Sequence, residues 1–307
     1  MEHIPVLLEE CISGLNIVPS GVYVDGTLGR GGHAREIVKK LSSGKLIAID
    51  RDADALKEAR RLLADDNSRI TFVHGNFRDI DAILENHAPE VDGMLFDLGV
   101  SSPQLDDSGR GFSYMHDAPL DMRMDRLSAV TANDVVNEWP EDELRKIFFE
   151  YGEERYSRQI ARAIVKKRAS EPITSTYVLN DIILRAIPPA ARREAQHPSK
   201  RCFQAIRIAV NDELGAIAGM LEAAPDKLKP GGRICIISFQ SLEAKLVKRA
   251  FSSRINGCKC PKELPVCVCG FVPTLKLITK KAIKPRAGEV ALNPRARSAE
   301  LRIAERI

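Results

Sequence analysis

The sequence predicts an α/β protein, a Rossmann-like, doubly wound sheet into which an all-helical domain is inserted. Three observations carry this. Val22–Val24, a group of closely spaced glycines and Ala34–Leu41 read as strand, glycine loop and helix. Apolar runs and amphipathic stretches then alternate as far as Asp97, as in a parallel sheet covered by helices. From about Leu105 that rhythm stops for roughly a hundred residues and then returns, so one domain is interrupted by another. The expected divisions are 1–105 and 203–307 for the sheet domain and 106–202 for the insertion.

A chain of 307 residues can hold a full core and two domains. No stretch approaches the roughly 20 apolar residues of a membrane span, and the N-terminus lacks a basic and apolar leader, so a soluble cytoplasmic protein is expected. The net charge of +4 conceals an asymmetry: residues 1–152 carry 16 Lys+Arg against 28 Asp+Glu, and residues 153–307 carry 30 against 14. Such a split suits a polyanion held by the second half. Seven cysteines, an odd number, point to thiols or metal rather than disulfides.

After an apolar lead-in ending at Cys11, the strand Val22–Val24 opens the sheet. Gly26, Gly29, Gly31 and Gly32 let the backbone come close to a ligand, and the first turn of the next helix offers unpaired N–H groups and a positive dipole end to an anionic group. The second strand, Lys45–Ile49, ends at Asp50, nineteen residues after Gly31, where this fold places the carboxylate for a ribose diol. Gly29-Arg30-Gly31-Gly32-His33-Ala34 satisfies the G-x-G-x-x-A dinucleotide pattern, so an NAD-type ligand fits the loop. Asp25 tilts it toward S-adenosylmethionine, because a carboxylate is repelled by a pyrophosphate and attracted by an ammonium. The competing reading is that Asp25 only caps the loop.

Ala53–Ala64 then reads as a helix, Ile70–His74 as a strand, Ile80–Asn86 as a helix and Val91–Phe96 as a buried strand. It ends at Asp97, followed by Leu98-Gly99-Val100-Ser101-Ser102-Pro103-Gln104, a polar turn at a strand's carboxyl end, where such sheets bind ligands. The insertion has turns at Pro119, Pro140, Pro172 and Pro188-Pro189. Within it, a helix over Glu153–Arg168 puts Tyr156, Ile160, Ala163 and Ile164 on one face and Arg155, Arg158, Arg162 and Lys166 on the other. That basic stripe is either an RNA contact or a solvated face. A long helix over Phe203–Ala224, the turn Pro230-Gly231-Gly232 and the strand Arg233–Phe239 return to the sheet. Cys258-Lys-Cys260 and Cys267-Val-Cys269 could place four thiolates around one zinc ion, or form a loop of free thiols. The tail, Phe271–Ile307, adds short strands around Asn293-Pro294-Arg295-Ala296-Arg297-Ser298-Ala299.

Together, H-I-P-V-L-L-E-E, D-G-T-L-G-R-G-G-H, A-I-D-R-D, F-D-L-G-V-S-S-P-Q-L-D, R-G-F-S-Y, P-L-D-M-R-M-D, F-Q-A-I-R-I-A-V-N-D-E-L and N-P-R-A-R-S-A-E-L-R resemble one family, the bacterial MraW or RsmH methyltransferases that act on the exocyclic N4 of a cytidine in 16S ribosomal RNA. The matches run from His3 to Arg302. The resemblance implies a class I S-adenosylmethionine-dependent methyltransferase fold with an inserted helical domain. It also implies S-adenosylmethionine as cofactor and, as partner, 16S ribosomal RNA or the small ribosomal subunit near the decoding centre, with a homodimer left open. Carried over by motif, the cofactor contacts are Gly31, Gly32, His33, Asp50, Phe77, Asp97 and Gln104. Asp50 suits the ribose hydroxyls, the helix start at Gly32-His33 the methionine carboxylate, and Phe77 the face of adenine, unless Phe77 is plain core. One departure stands out: where the family has S-F-H-S-L-E-D-R, this chain has Ser238-Phe239-Gln240-Ser241-Leu242-Glu243-Ala244-Lys245, which leaves no histidine base at that position.

Cytosine N4 is a weak nucleophile because its lone pair is delocalised into the ring. A site can help by aligning it with the sulfonium methyl and by accepting its N–H bonds as it becomes tetrahedral. Asp97, the carbonyls of Gly99 and Ser101, and the hydroxyls of Ser101 and Ser102 are the candidate acceptors, on a turn that partly matches the [DNS]-P-P-[YFW] signature of amino-group methyltransferases. Phe112, Asp121 and Arg123 are candidates for holding the base or its backbone, against a structural reading as a buried salt bridge and core aromatic. Two rival functions remain at this level, an NAD-dependent oxidoreductase and a non-catalytic RNA-binding protein.

Overall fold

The computed structural model describes residues 5–193, 197–258, 260–261 and 268–307. The chain divides into two compact units, one of residues 1–99 and 214–307 and one of residues 100–213. In the first unit, α1 (Leu8–Leu15) precedes β1 (Val22–Asp25), α2 (Gly32–Lys40), β2 (Lys45–Asp50), α3 (Ala53–Leu62), β3 (Ile70–His74), α4 (Ile80–His87) and β4 (Val91–Asp97). The second unit holds α5 (Ser102–Asp106), α6 (Ala132–Glu138), α7 (Glu141–Glu150), α8 (Ser157–Arg168), α9 (Thr176–Ala186) and α10 (Pro198–Asn211). The first unit resumes along α11 (Glu213–Ala223), then β5 (Leu228–Ser238), α12 (Ser241–Ile255), β6 (Leu275–Leu277), α13 (Ala287–Leu292) and β7 (Glu300–Arg306).

The sheet order is β3-β2-β1-β4-β5-β7-β6. β1 to β5 run parallel, and β7 enters antiparallel between β5 and β6. This is the class I methyltransferase arrangement. Side-chain alternation places two cores on the two faces of the sheet. Leu46, Ala48, Leu95, Cys235 and Ile237 pack with α1, α2 and α3, whereas Ile47, Ile49, Met94, Phe96, Ile234 and Ile236 pack with α4, α11 and α12. Strand order reverses between β1 and β4, so their carboxyl ends flank the switch point where such sheets hold ligands.

Several boundaries differ from the sequence reading for identifiable reasons. The helix read over Phe203–Ala224 is two helices, because Asp212 adopts a left-handed conformation (φ 43°) between α10 and α11. α10 belongs to the second unit, where Cys202, Phe203, Ala205 and Ile206 join its core; Val100 and Leu105 pack against the same core. The units therefore divide after residues 99 and 213 rather than after 105 and 202. The helix expected from Glu153 begins at Ser157, since Glu153 is left-handed (φ 49°) and the buried Glu154 carboxylate accepts the Tyr156 N–H at 2.9 Å. Pro230-Gly231-Gly232 is not a turn outside the strand but an irregularity within β5: the register with β4 shifts there and Gly231 has φ 82°. Among the described residues no helix is long and apolar enough to cross a membrane.

Candidate cofactor and methyl-transfer site

β1, β2 and β4 each finish on an aspartate. Asp25 is buried; its Oδ1 accepts the Thr27 N–H at 3.1 Å, while Oδ2 is buried with no hydrogen-bond partner. Capping the loop thus accounts for one oxygen only. Burial, opposed by the Thr27 bond and reinforced by Asp50, pushes the Asp25 carboxyl up to about 7. Asp97 has the same character. Its backbone N–H donates to Thr27 Oγ1 at 2.6 Å, its Oδ1 is buried without a partner, and its Oδ2 lies 4.0 Å from His33 Nδ1. Burial first, then the charges of Asp25 and Glu243, push it up to about 8. Two carboxyls, each with an orphaned buried oxygen, fit a ligand that carries positive charge, as S-adenosylmethionine does on its ammonium and its sulfonium.

The glycine loop is shaped for close approach. Gly31 N-caps α2 at φ 77°, and a Cβ there would stand 2.7 Å from Leu63 Cδ1, so only glycine fits without strain. A Cβ on Gly32 would run into the ring of Pro5, which packs on the loop from the lead-in. His33, the second residue of α2, is buried with Nε2 3.0 Å from the Val6 carbonyl. A carbonyl only accepts, so Nε2 carries the hydrogen and Nδ1 is the atom turned toward Asp97. Asp50 braces the same loop: Oδ2 accepts the Gly29 N–H at 2.7 Å and Oδ1 the Asp52 N–H at 2.8 Å. Each oxygen keeps a further lone pair, so the carboxylate can still receive a vicinal diol. Burial raises its pKa, and these two bonds oppose the rise. Phe77 is half-buried and meets Phe96 edge-on, at 5.9 Å and 72°. It is anchored in the core yet keeps part of its ring outside.

Two residues of this constellation were not singled out by sequence reasoning. Thr27 ties Asp25 to Asp97 by bonding both. Glu243 is buried and accepts the N–H groups of Phe239 (2.8 Å) and Gln240 (3.1 Å), holding the start of α12 while adding negative charge near Asp97. The Gln240-x-x-Glu243 spacing of an N-terminal capping pair was the available signal.

The remaining candidates lie elsewhere. In the second unit, Ser101 and Gln104 close a reciprocal capping box on α5: the Ser101 N–H donates to Gln104 Oε1 at 3.1 Å, and the Gln104 N–H to Ser101 Oγ at 3.4 Å. Ser102, the first residue of α5, is half-buried. Phe112 is buried, with the Arg110 guanidinium 5.8 Å from its ring centre. Asp121 and Arg123 form a bidentate pair at 2.7 and 3.0 Å, and Arg123 also donates to the Arg126 and Ser128 carbonyls, each at 2.9 Å. Against the upward push of burial, Arg123 holds Asp121 below the usual carboxylate range. This pair braces the unit. Arg158, Arg162 and Lys166 are exposed one turn apart along α8, whereas Arg155 precedes the helix and lies 4.8 Å over the Tyr156 ring. Arg295 and Arg297 are exposed on a short helical turn, Pro294–Ser298, of the first unit. Of the four clustered cysteines, Cys258, Cys260 and Cys269 bring their sulfurs within 4.8 Å of one another; Cys267 lies outside the described residues.

Residues 1–307 match the family model of the MraW methylase family. Proteins named ribosomal RNA small subunit methyltransferase H are close in sequence over their full lengths. That of Paenibacillus sp. (strain JDR-2) is 52% identical over 100% of this chain and 99% of its own. That of Clostridioides difficile (strain 630) is 52% identical over 99% of both, and that of Carboxydothermus hydrogenoformans 54% identical over 99% of this chain and 98% of its own. The oxidoreductase and non-catalytic readings find no support in these relatives. With the sheet order, the three strand-end aspartates and a match from end to end, the chain belongs to the MraW methylase family.

Proposed function

We propose that this protein methylates small-subunit (16S) ribosomal RNA, with S-adenosylmethionine as donor and the exocyclic N4 of a cytidine as acceptor. The substrate class follows the names of the relatives, and the atom follows the motif resemblance. The observation that carries the donor is the pair of orphaned buried oxygens on Asp25 and Asp97, which favour a cation and repel a pyrophosphate.

Bound S-adenosylmethionine supplies an electrophilic methyl on its sulfonium. Asp25 would hold the ammonium, the first N–H groups of α2 the carboxylate, Asp50 the ribose hydroxyls, and Phe77 the adenine face. Asp97 would accept an N4–H hydrogen bond, which favours the lone pair leaving conjugation with the ring. Asp97 would also take up the proton that N4 loses on gaining the methyl group. Arg158, Arg162 and Lys166 in one unit, and Arg295 and Arg297 in the other, bind phosphates and add affinity without sequence choice.

The test is methyl transfer from labelled S-adenosylmethionine to isolated small ribosomal subunits, with nucleoside digestion and mass spectrometry. Label in N4-methylcytidine that is lost with Asp97→Ala is expected. Label confined to another nucleoside would overturn the acceptor, and efficient methylation of free cytidine would overturn the RNA-binding part of the reading.

A further inference from the structure

Cys258, Cys260 and Cys269 take no part in the chemistry above. Their three sulfurs lie within 4.8 Å of one another, with Cys258 Sγ and Cys269 Sγ 3.6 Å apart. Sulfurs on a tetrahedral zinc ion at ~2.3 Å each stand about 3.8 Å from one another. A disulfide would need about 2.05 Å. The 3.6 Å between Cys258 and Cys269 is close to the separation of two ligands on one ion and far from that of a bonded pair. The Val268 N–H also points at Cys260 Sγ at 3.3 Å, the contact by which a backbone amide stabilises a charged thiolate.

The described residues around these cysteines carry little regular structure. Between Ile255, which ends α12, and Leu275, which starts β6, no helix or strand occurs among the described residues. The two arms are tied at their base, where the Thr274 N–H donates to the Arg254 carbonyl at 3.0 Å and Phe271 Cε2 lies 2.5 Å from where a Gly257 Cβ would be. Among the described residues beyond this base, Val268 is 76% exposed and Val272 72%. A cross-link is the ordinary means by which a long connection with little regular structure keeps one shape.

We propose that Cys258, Cys260 and Cys269 bind a structural zinc ion that closes this loop at the sheet edge. Thiolates select a borderline-soft ion over magnesium or calcium, and zinc adds no redox chemistry. Each thiol releases its proton to solvent on binding. Three thiolates and one Zn²⁺ leave a net charge of −1, and in sequence Lys259 and Lys262 flank the site with positive charge. The fourth coordination position is left to a further donor.

The experiment uses the full chain, expressed with added zinc and purified without chelator. About one equivalent of zinc by mass spectrometry is expected, falling below about a tenth in Cys258→Ser/Cys269→Ser. Both positions are exposed, so this variant should keep the parental circular dichroism and S-adenosylmethionine affinity. Trypsin cleavage after Lys259 and Lys262 should accelerate at least tenfold when zinc is removed by chelation. Adding Co²⁺ to the chelated protein should produce the intense visible bands of tetrahedral thiolate coordination. Less than about a tenth of an equivalent of zinc in the parental protein, zinc retained by the double variant, or a Cys258–Cys269 disulfide in the freshly purified chain would each overturn the proposal.

Discussion

Binding of S-adenosylmethionine should expel protons from the two strand-end carboxyls. With Asp97 raised to about 8 and Asp25 to about 7, the free protein at pH 7 holds about 0.9 of a proton on the first and about 0.5 on the second. The charge of Asp25 is one cause of the rise at Asp97, so the two titrate as a pair. A ligand with an ammonium and a sulfonium favours both charged forms, and its binding should release about 1.4 protons at pH 7 and about 0.1 at pH 9. Affinity should accordingly rise between pH 6 and 8, by up to about tenfold per unit for each proton released. Calorimetric titration at pH 7 in buffers of different ionisation enthalpy measures this directly, since the slope of observed enthalpy against buffer enthalpy counts the protons. Asp97→Asn should cut the release to about half a proton. S-adenosylhomocysteine, which keeps the ammonium but lacks the sulfonium, should release fewer than the methyl donor does. A slope of zero for the parental protein would refute the assignment of Asp25 and Asp97 to a cationic ligand.

The same shifts bear on stability. Because Asp25 and Asp97 hold protons in the folded state that the unfolded chain has already lost above about pH 4, the ligand-free protein should lose stability as pH rises from about 4 to about 8 and level off beyond. Urea midpoints across that range check it, with a smaller slope expected in Asp25→Asn. Asp50→Ala should weaken S-adenosylmethionine by about 2–3 kcal/mol, from the lost charged acceptor and from the freed Gly29 and Asp52 amides. Unchanged affinity in a folded variant would remove Asp50 from the site. Gly31→Ala should cost about 1–2 kcal/mol in thermal unfolding from its left-handed backbone, with more added by the Leu63 contact. Neutralising Arg158, Arg162 and Lys166 together should lower the slope of log affinity for RNA against log salt by about 2–3 and leave S-adenosylmethionine affinity alone; an unchanged slope would make α8 a solvated face.

Much of the sheet could be read in advance because its cause is local. β1 to β4 are short apolar runs ending at turn residues, and the acids at positions 25, 50 and 97 mark the ends of β1, β2 and β4. The breaks at Asp212 and Glu153 left no such trace, since an isolated left-handed residue leaves helical periodicity intact on both sides. Nor could spacing reveal how Asp121 and Arg123 divide their bonds. L-D-M-R-M-D suits a brace or a binding pair equally, and only the carbonyls of Arg126 and Ser128 show where the guanidinium is used. The roles of Thr27 and Glu243 depend on strands and helices far apart in sequence meeting at one end of the sheet, so no single motif contains them.

The insertion between β4 and β5 also sets an order of assembly during synthesis. β4 ends at Asp97, and its partner β5 begins at Leu228, so about 130 residues must be translated before that edge can pair. At roughly 5–20 residues per second, this leaves an apolar strand edge open for about 7–25 s. Early collapse of the second unit around its own core draws the ends of the intervening chain together and lowers the entropy cost of closing so long a loop. A substitution such as Phe148→Ala, deep in that helical core, should therefore slow completion of a sheet to which Phe148 itself does not belong.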